Sequence, residues 1–226
     1  MDEINEVEEY LASGKDMQIY LDKVKECPRI VEYLKTLGIE YTTEYIKETN
    51  PENLAIVNNG RTYIIPDWYD IPHPIKRNIN NSLYVPDAVG ITKLWDLKDS
   101  IEVYGLLKTS KYAGLYSDDK AESLYDIVAI SKRVTESTYF SDVMVCGSSC
   151  IYDTQIINTN KSLLINSVFW MGRIDESSDF EATVITNAPM LTSQNHHNTI
   201  QFVFVIIIPF IIIIAGIVVW LRRRYL

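Results

Sequence analysis

Cysteine is scarce in this chain. Only three occur among 226 residues, Cys27, Cys146 and Cys150, and so few, at an odd count, exclude a disulfide-framework domain. Cys146 and Cys150 stand four apart, a spacing that leaves a disulfide between them open. Signatures of nucleotide hydrolysis are missing too. No G-x-x-x-x-G-K-[ST] loop exists to cradle phosphates, and Lys15 follows a single Gly14 and leads into a strand, the wrong order for such a loop. Neither H-E-x-x-H nor a Cys-x-x-Cys pair is present to hold a metal. Of the three histidines, His73 lies in a proline-flanked loop, and His196 and His197 sit in a polar stretch that reads as linker. No metal or cofactor is expected. Basic residues are few: all 30 acidic residues precede residue 200, against 18 of the 21 basic ones, for a formal charge of −12. That balance argues against a nucleic-acid or anionic-lipid partner.

Charge is absent altogether from residues 200–221, IQFVFVIIIPFIIIIAGIVVWL. At ~1.5 Å per residue a helix of this length covers roughly 33 Å, enough for a ~30 Å hydrocarbon core. The stretch is expected to be a transmembrane helix. Arg222, Arg223 and Arg224 follow at once, and no Lys or Arg lies between Arg173 and Arg222. The positive-inside rule then puts residues 222–226 in the cytoplasm and the preceding domain outside, in a single-pass cell-membrane protein, with Trp220 at the interface. Met1–Leu11 is acidic and has no export signal. The expectation is that this chain is a piece of a longer protein.

The remaining sequence reads as an extracytoplasmic domain over 1–186, a linker over 187–199, the span over 200–221 and a basic tail over 222–226. Ile4, Val7 and Leu11 make an apolar stripe that predicts a helix over 2–13, stopped at Gly14. Residues 17–21 read as a short buried strand. Pro28 suits the first turn of a second helix whose inward face is Ile30, Val31, Leu34 and Leu37, with Gly38 closing it. Helix, strand and helix in quick succession point to an α/β sheet. Prolines at 51, 66, 72, 74 and 86 mark 39–98 as an irregular inserted lobe, with a hairpin turn at Asn59-Gly60. Strands are expected at 101–108, 125–133 and 142–146, a helix over about 161–171 capped by Thr159 or Asn160, and an edge strand at 182–186.

EYLASGKDMQIYLD (9–22), LKTLGIE (34–40), HPI (73–75), LLKTS (106–110), VMVCGSSCIYD (143–153), SLLINSVFWMG (162–172) and PFIIIIAGIVVWLRRR (209–224) occur in one order. In that order they resemble the C-terminal half of the substrate-binding-like auxiliary proteins of gliding-motility-type (GldG-like) ABC transporters. The resemblance implies a flavodoxin-like, class I glutamine amidotransferase-like layered α/β fold. It also implies an ABC permease and ATPase as partner chains, and a missing N-terminal half.

The sequence offers two kinds of candidate site. Cys146-Gly147-Ser148-Ser149-Cys150 breaks a strand where amidotransferase-like sheets carry a nucleophile, but no glycine flanks one nucleophile on both sides and no histidine is positioned as base. Cys146 reads better as a small core residue. Ligands in open α/β sheets lie beyond the carboxyl ends of strands, which here nominates Asp22, Thr109, Ser110, Ser148 and Ser149. The competing reading is that these residues cap turns. The expected function is a non-catalytic, membrane-anchored accessory subunit of an ABC transport system. Alternatives are a cell-surface cysteine amidohydrolase or a tethered glycan- or peptide-binding domain.

Overall fold

In the computed structural model, the described residues are 3–22, 28–56, 61–134 and 140–174, with four further positions at 205, 206, 209 and 210. Two units divide the chain, Met1–Asp179 and Phe180–Leu226. The first is built on a helix–strand–helix start: α1 (Glu3–Ala12), β1 (Met17–Tyr20) and α2 (Pro28–Thr36). Gly14 and Gly38 take φ of 78° and 81° just past the two helices, a left-handed turn that an L side chain resists. The chain continues through β2 (Ile39–Lys47), β3 (Leu54–Ile56), β4 (Thr62–Ile64), β5 (Asp67–Trp68), β6 (Val89–Lys93), β7 (Leu97–Lys98) and β8 (Ile101–Lys108). It then forms β9 (Ala113–Leu115), β10 (Asp118–Ser123), β11 (Asp126–Val134), β12 (Phe140–Cys146) and α3 (Ile157–Met171).

Ten of these strands make one sheet in the order β1-β12-β11-β6-β2-β9-β10, with β8 also on β11 and both β5 and β7 on β8. Among the described residues only β1 and β12 pair in parallel, and the other pairings of the sheet are antiparallel. This overturns the flavodoxin-like expectation. A parallel sheet needs a crossover of roughly a dozen residues or more between strands, whereas β11 and β12 are joined across 135–139 alone. Among the described residues three α-helices stand against twelve strands, so the described part is mostly β. Residues 39–98 are not an insertion beside the sheet either. β2 and β6 are strands of the sheet itself, and Ile39, Val89 and Ile91 are buried in its core.

Alternation along β11 and β12 sends side chains to two cores. Ala129, Val143 and Val145 meet Leu11, Leu34 and Leu37 of the α1–α2 side. Ile130, Met144 and Cys146 meet Leu163 of α3 and Ile75, Leu83 and Val85 of the 74–85 segment. Each fully buried leucine or isoleucine stabilises this arrangement by about 1.5–3 kcal/mol. On α2 the buried face is Tyr33, Leu34 and, just beyond the helix, Leu37, while Ile30 is exposed. The helix expected from residue 161 starts earlier, at Ile157, with no side-chain cap. Asn160, fully buried, instead ties the helix to the chain before it: its amide donates to the Tyr84 and Ile151 carbonyls and accepts from the Tyr84 N–H.

No helix among the described residues is long and apolar enough to cross a membrane. The longest, α3, has 15 residues and at ~1.5 Å each reaches only about 22 Å. The transmembrane, single-pass expectation therefore has no counterpart among them. Residues 200–221 lie outside the described residues apart from the four positions above, as do the 182–186 strand, the 187–199 linker, Trp220, Arg222, Arg223 and Arg224.

Candidate functional site

Because β1 and β12 are parallel and in register, with Tyr20 opposite Cys146, their carboxyl ends open at the same edge of the sheet. The Leu21 N–H donates to the Cys146 carbonyl at 2.8 Å, so Asp22 emerges beside Ser148, Ser149 and Cys150. Ser149 Oγ donates to Asp22 Oδ2 at 3.1 Å. From β2, the Tyr45 hydroxyl donates to Asp22 Oδ1 at 2.7 Å. Burial first, and then the Asp22 carboxylate, pushes the Tyr45 hydroxyl well above the usual tyrosine range. Asp22 thus holds β2 to the β1–β12 edge.

Ser148 points the other way. It is fully buried, donates to the Pro86 carbonyl at 2.6 Å and accepts from the Cys150 N–H at 3.2 Å. Gly147 before it has no room for a side chain, since a Cβ there would drive into the Val89 carbonyl oxygen. The Cys146 thiol is buried among the core residues, and burial pushes it up to about 12. Cys150 is half-buried with its Sγ 3.8 Å from Ser149 Oγ, and both thiols are free.

Thr109 and Ser110 follow β8 and belong to a second network, centred on Glu48. Thr109 exchanges bonds with Tyr125: its N–H donates to the Tyr125 carbonyl at 2.9 Å, and its Oγ1 accepts from the Tyr125 N–H at 3.0 Å. Glu48, only 4% exposed, accepts from the Ser110 N–H at 3.0 Å and the Ser110 hydroxyl at 2.7 Å. It also accepts from the Thr49 and Asn50 N–H groups, each at 2.9 Å. Four donors on one buried carboxylate fix the Ser110 turn against the end of β2.

A cavity of about 220 Å³ adjoins both networks, through Tyr45 and Glu48, with Lys47, Arg61, Tyr63 and Asp87 among its other walls. Arg61 pairs with Asp87 at 3.3 Å across exposed side chains. Its volume falls below the ~300–1,000 Å³ of ordinary small-molecule pockets. The sequence reading missed Tyr45 and Glu48, which organise the two networks. The only signal was their position at the end of a long alternating strand.

His73 closes the turn Pro74–Lys76, its Nδ1 accepting from the Ile75 N–H at 3.2 Å. Nε2 lies 3.4 Å from the Tyr104 hydroxyl, and the ring meets Trp170 edge-on at 4.7 Å. Burial, with Lys132 adding to it, lowers His73 to about 4, so the ring is neutral at pH 7. Among the described residues its contacts are to Ile75, Tyr104 and Trp170, and neither thiol is one of them. No group of three metal-ligating side chains occurs among the described residues, and His196 and His197 lie outside them. The nominated residues therefore take part in two hydrogen-bond networks that shape turns: Asp22 with Ser149 in one, Thr109 and Ser110 in the other, and Ser148 turned into the core.

No family model and no curated protein matches the chain. Among solved structures, the mmIFT52 N-terminal domain is similar to it, with a TM-score of 0.53 at 17% identity over 77% of this chain and 72% of that one. At that identity the likeness is one of fold alone.

Proposed function

We propose that this chain is a non-catalytic binding domain, and that accessory subunit of an ABC transport system is the role it fits best. One observation carries the first half. The polar side chains at the strand ends, where chemistry in a layered sheet would be expected, donate to or accept from one another and the backbone. A nucleophile needs a base within hydrogen-bond reach, and the buried Cys146 thiol, pushed up to about 12, donates instead to the Ser148 carbonyl. The second half rests on the ordered sequence motifs that resemble the GldG-like auxiliary proteins, notably 143–153 and 162–172. Energy for transport would come from a separate ATPase chain. The test is affinity capture of the full chain from detergent-solubilised cells of its source. A permease and an ATPase captured together support the reading, and capture of neither overturns it.

A further inference from the structure

A second cavity, of about 360 Å³, lies between the C-terminal half of α3 and the start of β12, lined by Pro74, Arg77, Asp142, Asn166, Phe169, Trp170, Arg173 and Ile174. Unlike the first, it falls within the small-molecule range. Its polar groups are not spent on one another. Asp142 Oδ1 is sealed from solvent and accepts no hydrogen bond, although buried polar atoms are nearly always paired. Asn166 spends its amide hydrogens on the Ile75 and Arg77 carbonyls, at 2.9 and 2.7 Å, which leaves its side-chain oxygen as an acceptor. Arg77 is exposed at the rim and makes no ion pair among the described residues. The other arginine is committed: Arg173 binds Asp16 at 3.2 Å and the Gly14 carbonyl at 3.0 Å. Phe169, Trp170, Pro74 and Ile174 supply apolar walls.

A carboxylate without a donor, an unpaired guanidinium and an aromatic wall around one hollow describe a ligand by its complement. We propose that this cavity binds a small zwitterion of the α-amino acid class with an apolar side chain. Its ammonium donates to Asn166 and pairs with the Asp142 carboxylate through the oxygen other than the sealed Oδ1, its carboxylate pairs with Arg77, and its side chain lies on Phe169 and Trp170. A simple cation fits poorly, because Arg77, Arg173 and Lys132 all lie nearby. A simple anion leaves Asp142 unpaired. The inference goes beyond the transport reading and does not depend on it.

Asp142 also sets a pH signature. Burial and the neighbouring Asp16 raise it to about 6, opposed by Lys132 and Arg173; Tyr104 also feels its charge. Above that value the carboxylate is ionised and can hold an ammonium, and below it the attraction is lost.

The test is calorimetry on the full chain at pH 7.5 with L-phenylalanine, L-leucine and L-methionine, beside phenethylamine and 3-phenylpropionic acid. At least one amino acid should bind saturably, and its amine-only and acid-only analogues should bind more than about tenfold more weakly. Asp142→Asn and Arg77→Met should each weaken binding by about tenfold or more with the fold retained by circular dichroism, and affinity should fall from pH 7.5 to pH 5. Arg77 is at the surface, so its replacement keeps the test open if the Asp142 variant does not fold. Absence of saturable binding, or equal affinity in the wild type and Arg77→Met, overturns the proposal.

Discussion

Replacing Glu48 by glutamine tests whether the Ser110 turn is held as described. Glu48 Oε1 accepts from the Thr49 N–H, the Asn50 N–H and the Ser110 hydroxyl, and Oε2 accepts from the Ser110 N–H. Glutamine keeps one oxygen, which can replace Oε1. Its amide nitrogen must then face the Ser110 N–H, donor against donor. The loss has two parts: charge-assisted bonds become neutral ones, and one buried donor goes without an acceptor, which by itself costs about 1–3 kcal/mol. Together the expected destabilisation is about 2–4 kcal/mol. For a domain of this size each kcal/mol lowers Tm by about 2–4 °C, so thermal unfolding followed by circular dichroism should shift down by roughly 4–16 °C. A shift under about 1 °C would refute the reasoning, because it would mean that the carboxylate is not the acceptor on which the turn depends.

Three further outcomes follow from the same geometry. Gly147→Ala pushes a methyl into the Val89 carbonyl and should destabilise by about 1–3 kcal/mol in urea unfolding; a neutral result would contradict that close approach. Asp142 and His73 should oppose each other in the pH dependence of stability. Asp142, raised to about 6, stabilises below its unfolded value near ~3.9 and loses that contribution as pH rises through about 6. His73, lowered to about 4, stabilises above its unfolded value near ~6.5 and loses that contribution as pH falls through about 4. Asp142→Asn should therefore steepen the gain in stability between pH 4 and 6.5, and an unchanged slope in pH-dependent unfolding would contradict the assignment. Finally, Cys150 should label with a thiol reagent well before Cys146, as peptide mapping would read. Equal native-state rates would contradict the burial of Cys146.

Much of the local structure is written in the sequence, because it depends on neighbours in the chain. The Ile4-Val7-Leu11 stripe, Pro28 at a first turn and glycines at 14 and 38 place α1 and α2 within a residue or two. The alternation of 101–108 places β8 with its bounds. What periodicity cannot carry is pairing direction, which β-strands acquire from distant partners: Met17 pairs with Val143 in parallel, and Asp126 pairs with Lys108 antiparallel. One local clue did exist. The gap between β11 and β12 is too short for a parallel crossover, and that alone argues against a doubly wound sheet. Asp22 and Ser149 lie side by side because their strands pair in parallel, and what they form there is a hydrogen bond between two strand ends. Thr109 and Ser110 lie apart from them, since Glu48, just past the end of a strand read as part of a lobe, draws them into a separate network.

If the strand-end residues build the scaffold, any partner docks elsewhere on the chain. Capture of permease and ATPase chains should be compared for the wild type, Asp22→Asn and Ser149→Ala, alongside their melting temperatures. Both partners should be retained at wild-type levels by all three, with the variants melting lower. Loss of capture in a variant that melts like the wild type, or capture of neither partner by the wild type, would contradict it.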